Sequence, residues 1–181
     1  MISWTLLPLA LVLLYSSSLC SLGCDLTQSL KKDFSVMNQL STLSLVPCLK
    51  DRTNFNFPKE VIEGSQLQRE NATVIAHEIL QQIFTIFSLN ATPAAWNQTQ
   101  LRRLLSGLDQ QLEKCLEQDV EWEEPSQECE NPRLALKNYF QGINQYLQGK
   151  KYSHCSWEIV RVEIRRVFLF MSKFTKTFWD W

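Results

Sequence analysis

Apolar residues recur every three or four positions in five stretches of this chain, the period of a helix with one buried face. The first, over 25–43, sets Leu26, Leu30, Phe34, Met37 and Leu40 at that spacing. The second, over 70–89, holds Val74, Ile75, Ile79, Ile83, Phe84, Ile86 and Phe87, apolar enough to be largely buried. The third opens near Asn97 and carries Leu101, Leu104, Leu105, Leu108, Leu112 and Cys115. The fourth follows Pro132 with Leu134, Leu136, Phe140, Ile143 and Leu147, and the last covers 156–175. Val160 to Ile164 also alternates like a strand, but the length of that stretch favours helix. Pro93, Pro125 and Pro132 are expected between these helices, and none inside one.

About 26 residues, with Pro47, Pro58 and Gly64 but little periodicity, separate the first two helices. Antiparallel neighbours need only a few linking residues, so a link this long suits a crossover between parallel helices. The expected fold is all-α, a five-helix bundle with a long first crossover, as in cytokine-type up-up-down-down bundles.

Residues 1–23 carry no charge, and Leu6 to Tyr15 is nearly all apolar: long enough for a signal peptide, too short to span a bilayer. Cleavage is expected after Gly23, with after Cys20 as the alternative, leaving one secreted domain over 24–181. No later stretch approaches the ~20 apolar residues of a membrane helix, so no membrane insertion is expected. The sequons at Asn71, Asn90 and Asn97 agree with secretion as glycosylation sites. Five cysteines follow the leader, and two bridges among five can be drawn in fifteen ways. Cys129, in a Pro- and Glu-rich stretch that reads as an exposed loop, is expected to be the unpaired one.

On the last helix Trp157, Val160, Ile164, Val167, Phe168 and Met171 share one face, which is core. The roughly opposite side holds Arg161, Val162, Arg165, Arg166, Leu169 and Phe170. Such mixed basic and apolar surface suits a protein-binding patch, unless the apolar members simply touch a neighbouring loop. The aromatic ending, Phe174, Phe178, Trp179 and Trp181, either packs on the bundle or contacts another surface or a membrane.

Composition removes other classes. A net charge of −1 argues against a nucleic-acid binder, five Gly leave no phosphate cradle, and two His make no His-based metal site. No cofactor is expected. Glu121, Glu123, Glu124 and Cys129 are the nearest to catalytic groups, but a thiol among acids is poorly activated, so no enzyme is expected.

Tyr152-Ser153-His154-Cys155-Ser156-Trp157-Glu158-Ile159-Val160-Arg161-Val162-Glu163-Ile164-Arg165-Arg166 resembles the final-helix signature of the type I interferons. Cys48-Leu49-Lys50-Asp51-Arg52, Phe55-Asn56-Phe57-Pro58, His77-Glu78, Ala95-Trp96-Asn97 and Lys137-Asn138-Tyr139-Phe140 match that family in order. The ending resembles kappa-type members, and other details resemble omega-type or limitin-like ones. The resemblance implies bridges Cys24–Cys115 and Cys48–Cys155, and a monomeric, antiviral, antiproliferative and immunomodulatory cytokine that joins two type I interferon receptor chains and activates Janus kinase and STAT signalling. It implies a high-affinity chain at Leu45, Leu49, Lys50, Arg52, Arg161, Val162, Arg165, Arg166 and Leu169, with Arg52 and Arg161 giving charge-assisted hydrogen bonds. It implies a low-affinity chain at Phe84, Leu89, Leu105, Asp109 and Lys137. Two departures stand out: the Cys24-to-Cys48 segment is about one turn short of the family pattern, and Gln110-Gln111-Leu112 reaches Cys115 early. The first motivates an alternative, an interferon-fold decoy or a ligand of a different helical-cytokine receptor.

Overall fold

A computed structural model describes residues 26–65, 67, 69–113 and 127–179, with backbone alone at 69, 70, 127–129 and 179. Residues 1–25, which hold the expected leader and Cys24, residues 114–126, which hold Cys115, Glu121, Glu123 and Glu124, and Trp181 lie outside the described residues. Among the described residues six α-helices and one 3₁₀ turn follow in order: α1 Leu26–Gln39, the 3₁₀ turn Val46–Asp51, α2 Lys59–Gly64, α3 Arg69–Phe87, α4 Gln98–Gln111, α5 Gln127–Gly149 and α6 His154–Trp179. No strand occurs among the described residues, so the alternating 160–164 stretch is helix.

The chain directions follow from cross-helix contacts. Arg161 reaches the Met37 carbonyl near one end of α1, and Thr27 meets Thr175 near the other, so α1 and α6 are antiparallel. Asn97 N–H donates to the Leu40 carbonyl and Gln111 donates to Asp33, so α1 and α4 are antiparallel too. Phe87 at the end of α3 meets Trp157 at the start of α6. The helices α1 and α3 therefore run up, and α4 and α6 run down. A tight turn sends α5 upward beside α6. The core is one continuous cluster, with Leu30, Met37, Ile75, Ile79, Leu104, Phe140, Trp157, Ile164 and Phe168 all out of water.

Three expectations shift. The first helix stops at Gln39 rather than at 43, because the Leu40 carbonyl is taken by Asn97 and the Ser41 hydroxyl accepts from the Leu43 N–H. The fourth helix begins at Gln127 and contains Pro132, which sits buried within its first two turns. Proline there costs one hydrogen bond near an end that lacks intrahelical partners for its first four N–H groups anyway. Cys129 thus lies on the first turn of α5 rather than in a loop; its side chain falls outside the described residues. The crossover, aperiodic in sequence, is not bare loop, since the 3₁₀ turn and α2 lie inside it.

Local chemistry explains the ends that matter. Asn97 caps α4, its side-chain oxygen accepting from Thr99 and Gln100 N–H at 3.0 and 3.2 Å. At the end of α5 the Tyr152 N–H reaches back to Leu147 and the Lys151 N–H to Gln148, with both residues at positive φ. This reverse cap closes α5 and brings Cys155 to the corner where the crossover passes.

Candidate binding surface

The 3₁₀ turn is fastened to the bundle at several points. Pro47 lies in its first turn, and Cys48 turns inward to bond Cys155, with Cα atoms 4.9 Å apart although the two stand 107 positions apart in sequence. The Asp51 carbonyl accepts from the Tyr146 hydroxyl at 2.8 Å, and its carboxylate pairs with Lys150 at 3.0 Å. Phe55 then meets the Tyr146 ring edge-on, and Phe57 sits between Tyr139 and Phe170. With its inner side chains engaged this way, the turn presents Val46 and Leu49 outward, 71% and 55% exposed.

The outer face of α6 completes the surface. Leu45, Leu49 and Arg52 from the turn line a cavity of about 220 Å³ with Val162 and Arg166 from α6. A neighbouring hollow of about 380 Å³ continues past Phe57 and Lys59 to Leu169, Phe170 and Lys173. Leu169 is half exposed. Arg166 borders both hollows and stands 3.6 Å from Glu163, which also accepts the Tyr139 hydroxyl at 2.9 Å. Burial and the Glu163 charge hold that phenol far above its ordinary range. Lys50 is exposed on the turn itself.

Arg161 departs from expectation. It is only 4% exposed and lies inside rather than on the outer face of α6. Its Nε and Nη2 donate to the fully buried Glu158 carboxylate at 3.0 and 2.8 Å, and its Nη1 donates to the Met37 carbonyl at 3.2 Å. Trp96 Nε1 donates to the other Glu158 oxygen at 2.6 Å. The reason is that α1 packs over that side of α6, so a position opposite the main core face is covered as well. Phe170 likewise turns inward, against Phe57 and Phe174, as the neighbouring-loop reading anticipated.

One turn beyond Arg161, Arg165 is half-buried with its guanidinium 5.3 Å from the Phe34 ring centre. Burial, and then the positive charge of Arg161, lowers its pKa.

Of the second set, Phe84, Leu89 and Leu105 are half-buried against the core, whereas Asp109 and Lys137 are exposed. They sit on α3, its following turn, α4 and α5, and α3 packs against both α4 and α5. Asn90 and Asn97 are exposed; Asn71 is half-buried in α3 with its sequon partner Thr73 buried. The aromatic ending packs inward as far as it is described, with Phe174 stacked on Phe170 and tilted against Phe178. Among the described residues no group of three or more His, Cys, Asp or Glu could hold a metal. No described helix is long and apolar enough to cross a membrane.

Pattern reading missed Leu43 and Val46, exposed apolar side chains of the crossover that carries Leu49. Their signal was available: a crossover loop with Leu43, Leu45, Val46 and Leu49 holds more apolar residues than a solvated link needs. It also missed Phe34, whose place beneath Arg165 depends on how α1 and α6 cross.

Comparison with known proteins agrees with this geometry. The interferon alpha/beta domain model matches residues 22–178. Interferon alpha-1 of Equus caballus is 47% identical over 169 residues, covering 90% of this chain and 92% of the relative. Interferon omega-1 of Homo sapiens is 46% identical over 170 residues, covering 90% and 87%. In three dimensions the chain is similar to zebrafish interferon 2, with a TM-score of 0.72 at 21% identity over 81% of this chain and 96% of that one.

Proposed function

Because this chain belongs to the type I interferon family, a family of antiviral cytokines and not of enzymes, we propose that it is secreted and acts by joining two type I interferon receptor chains. Held together at the cell surface, those chains activate Janus kinases and STAT signalling, with antiviral, antiproliferative and immunomodulatory output.

The observation that carries this reading is the joint surface of the 3₁₀ turn and α6. Exposed Leu49 and Leu169, with Leu45 and Val162 between basic Lys50, Arg52, Arg165 and Arg166, form an apolar patch with a charged rim. That is the anatomy of a protein interface, where a few anchors dominate the affinity and rim charges set orientation and on-rate. The high-affinity chain docks here. Arg161 contributes from inside, by fixing α6 against α1. The low-affinity chain takes the α3, α4 and α5 side around Phe84, Leu89, Leu105, Asp109 and Lys137. Glycans at Asn90 and Asn97 fit this secreted protein, and half-buried Asn71 is the poorest of the three seats. A second bridge, Cys24–Cys115, would tie the chain start to the end of α4.

The deciding experiment is surface-immobilised binding to each receptor ectodomain, with STAT phosphorylation read in parallel on responsive cells. Binding to one chain more tightly than to the other, with STAT phosphorylation, is expected. Absence of binding to both from a folded, correctly bridged sample would overturn the reading. Binding without STAT phosphorylation would replace it with a decoy.

A further inference from the structure

Two of the three sequons share the corner between α3 and α4, and their asparagines are held differently. Asn97 has its amide committed: Oδ1 accepts the Thr99 and Gln100 N–H groups at 3.0 and 3.2 Å. Its backbone N–H donates to the Leu40 carbonyl just past α1, and Gln100 beside it donates to Gln39 of α1. A sugar bonded to the Asn97 nitrogen leaves Oδ1 free to keep capping α4, so that glycan starts from a fixed direction beside α1. Asn90 is exposed in the turn after α3, and its side chain makes no hydrogen bond among the described residues. Asn71 stands at the other end of α3.

Asn90 directly follows Leu89, and Phe84 lies in the last turn of α3; both apolar side chains are half-buried on the core. An N-linked oligosaccharide is bulky and hydrated. On a side chain that nothing holds, it sweeps the space over Leu89. A protein docking there must displace and confine it, which costs conformational freedom. The turn beneath is poorly placed to yield. Its Thr92 N–H donates to the Leu89 carbonyl and its Trp96 N–H to the Pro93 carbonyl, and the Trp96 ring is buried between Phe87 and Trp157. Pro93 directly follows the sequon and restricts Thr92, so modification at Asn90 is expected to be partial.

We propose that the oligosaccharide at Asn90 is a brake on the α3–α4 face, weakening the docking of the low-affinity receptor chain around Leu89 and Phe84, whereas the glycan at Asn97 leaves that docking unchanged. This inference rests on the receptor reading above and adds regulation to it. The secreted protein is a mixture of two forms, and the share that carries sugar at Asn90 sets how readily the second chain joins.

The test uses full-length protein secreted from mammalian cells, with glycopeptide mass spectrometry locating the sugars. The wild-type form glycosylated at both Asn90 and Asn97 is purified and compared with Asn90→Gln, Thr92→Ala and Thr99→Ala in binding to each receptor ectodomain, alongside thermal melts. Asn90→Gln breaks no hydrogen bond, and Thr92→Ala removes the same sugar while keeping the asparagine, so the two guard each other against a folding defect. Thr99→Ala removes the other sequon while Asn97 stays in place as the cap. Asn90→Gln and Thr92→Ala should each tighten binding to the low-affinity chain by roughly three- to tenfold. Thr99→Ala should stay within about twofold of wild type, and none of the three should change binding to the high-affinity chain. Absence of sugar at Asn90, or low-affinity binding unchanged in both variants that lack it, overturns this inference alone. An equal gain in Thr99→Ala overturns the distinction between the two sites and the inference with it. Failure of all four proteins to bind either ectodomain overturns the receptor reading as well.

Discussion

Arg161 and Arg165 stand one helical turn apart on α6 and have opposite fates. Arg161 is buried, and its charge is met by the Glu158 carboxylate and the Met37 carbonyl. Arg165 is half in water, stacked on Phe34, with no acceptor. The difference lies in which neighbour each meets. Arg161 faces the C-terminal end of α1 with an acid three residues behind it on its own helix. Arg165 faces an aromatic ring. A buried ion pair of this kind adds little net stability over an apolar substitute, but removing one partner strands the other. An unpaired, pre-seated guanidinium at a patch edge is instead available to another molecule.

The contrast breaks most sharply at Arg161. Replacing it with Ala should cost about 3–5 kcal/mol of stability, because Glu158 is left as an uncompensated buried charge. Urea unfolding would measure this, and a loss under 1 kcal/mol would mean the pair does not hold the junction. Replacing Glu158 and Arg161 together with Gln and Met should cost less than Arg161→Ala alone.

The surface of the 3₁₀ turn has its own dependence, through covalent fastening. Changing Cys48 and Cys155 together to Ser should cost about 2–4 kcal/mol, since the bridge closes a loop of roughly a hundred residues. Receptor affinity should fall as well, even where the protein stays folded, because the turn carrying Leu49 loses its anchor. Unchanged affinity in the folded double variant would show that Tyr146, Lys150 and the Phe55 contact suffice.

A third buried charge sharpens the rule that pairing decides the outcome. Asp33 is buried with Gln111 as its hydrogen-bond donor and no cation in contact, and burial lifts its pKa to about 6. The folded chain therefore binds a proton between about pH 4 and 6 that the unfolded chain does not. Asp33 costs stability above pH 6, and that cost disappears as pH falls toward 4. Asp33→Asn should stabilise the protein by about 1–3 kcal/mol at pH 7.4 and by nearly nothing at pH 4, as thermal melts at the two values would record. A destabilised Asn variant at pH 7.4 would refute this.

The smallest expected effect on folding comes from the exposed side. Leu169→Ala should change stability by less than about 0.5 kcal/mol, yet weaken the high-affinity receptor chain by about 1–2 kcal/mol in steady-state binding. A variant that lost stability but not affinity would place Leu169 with the core.

The same contrast marks how far sequence carries. The five long helices were legible because each buries a stripe, and Leu30, Ile79, Leu104, Phe140 and Ile164 announce it at a period near 3.6. The turn at Val46–Asp51 and the six residues of α2 were not, being too short for a period and held by distant groups such as Tyr146 and Cys155. Of the outer face of α6, Val162, Arg166 and Leu169 were readable from the helix pattern. Arg161 was not, because a helical wheel shows one neighbour direction and α6 is covered from several. Its signal was chemical rather than periodic: Glu158 three residues earlier, and a Trp at position 96 whose N–H needs an acceptor once buried.

The fastened turn has a consequence for variation among such ligands. Val46, Leu49, Lys50 and Arg52 project from a backbone whose position is set by groups behind it: a disulfide, a tyrosine hydroxyl and two ring contacts. Exchanging the projecting side chains leaves those groups untouched. Successive substitutions there can then change what the surface contacts, and how tightly, without each step endangering the fold.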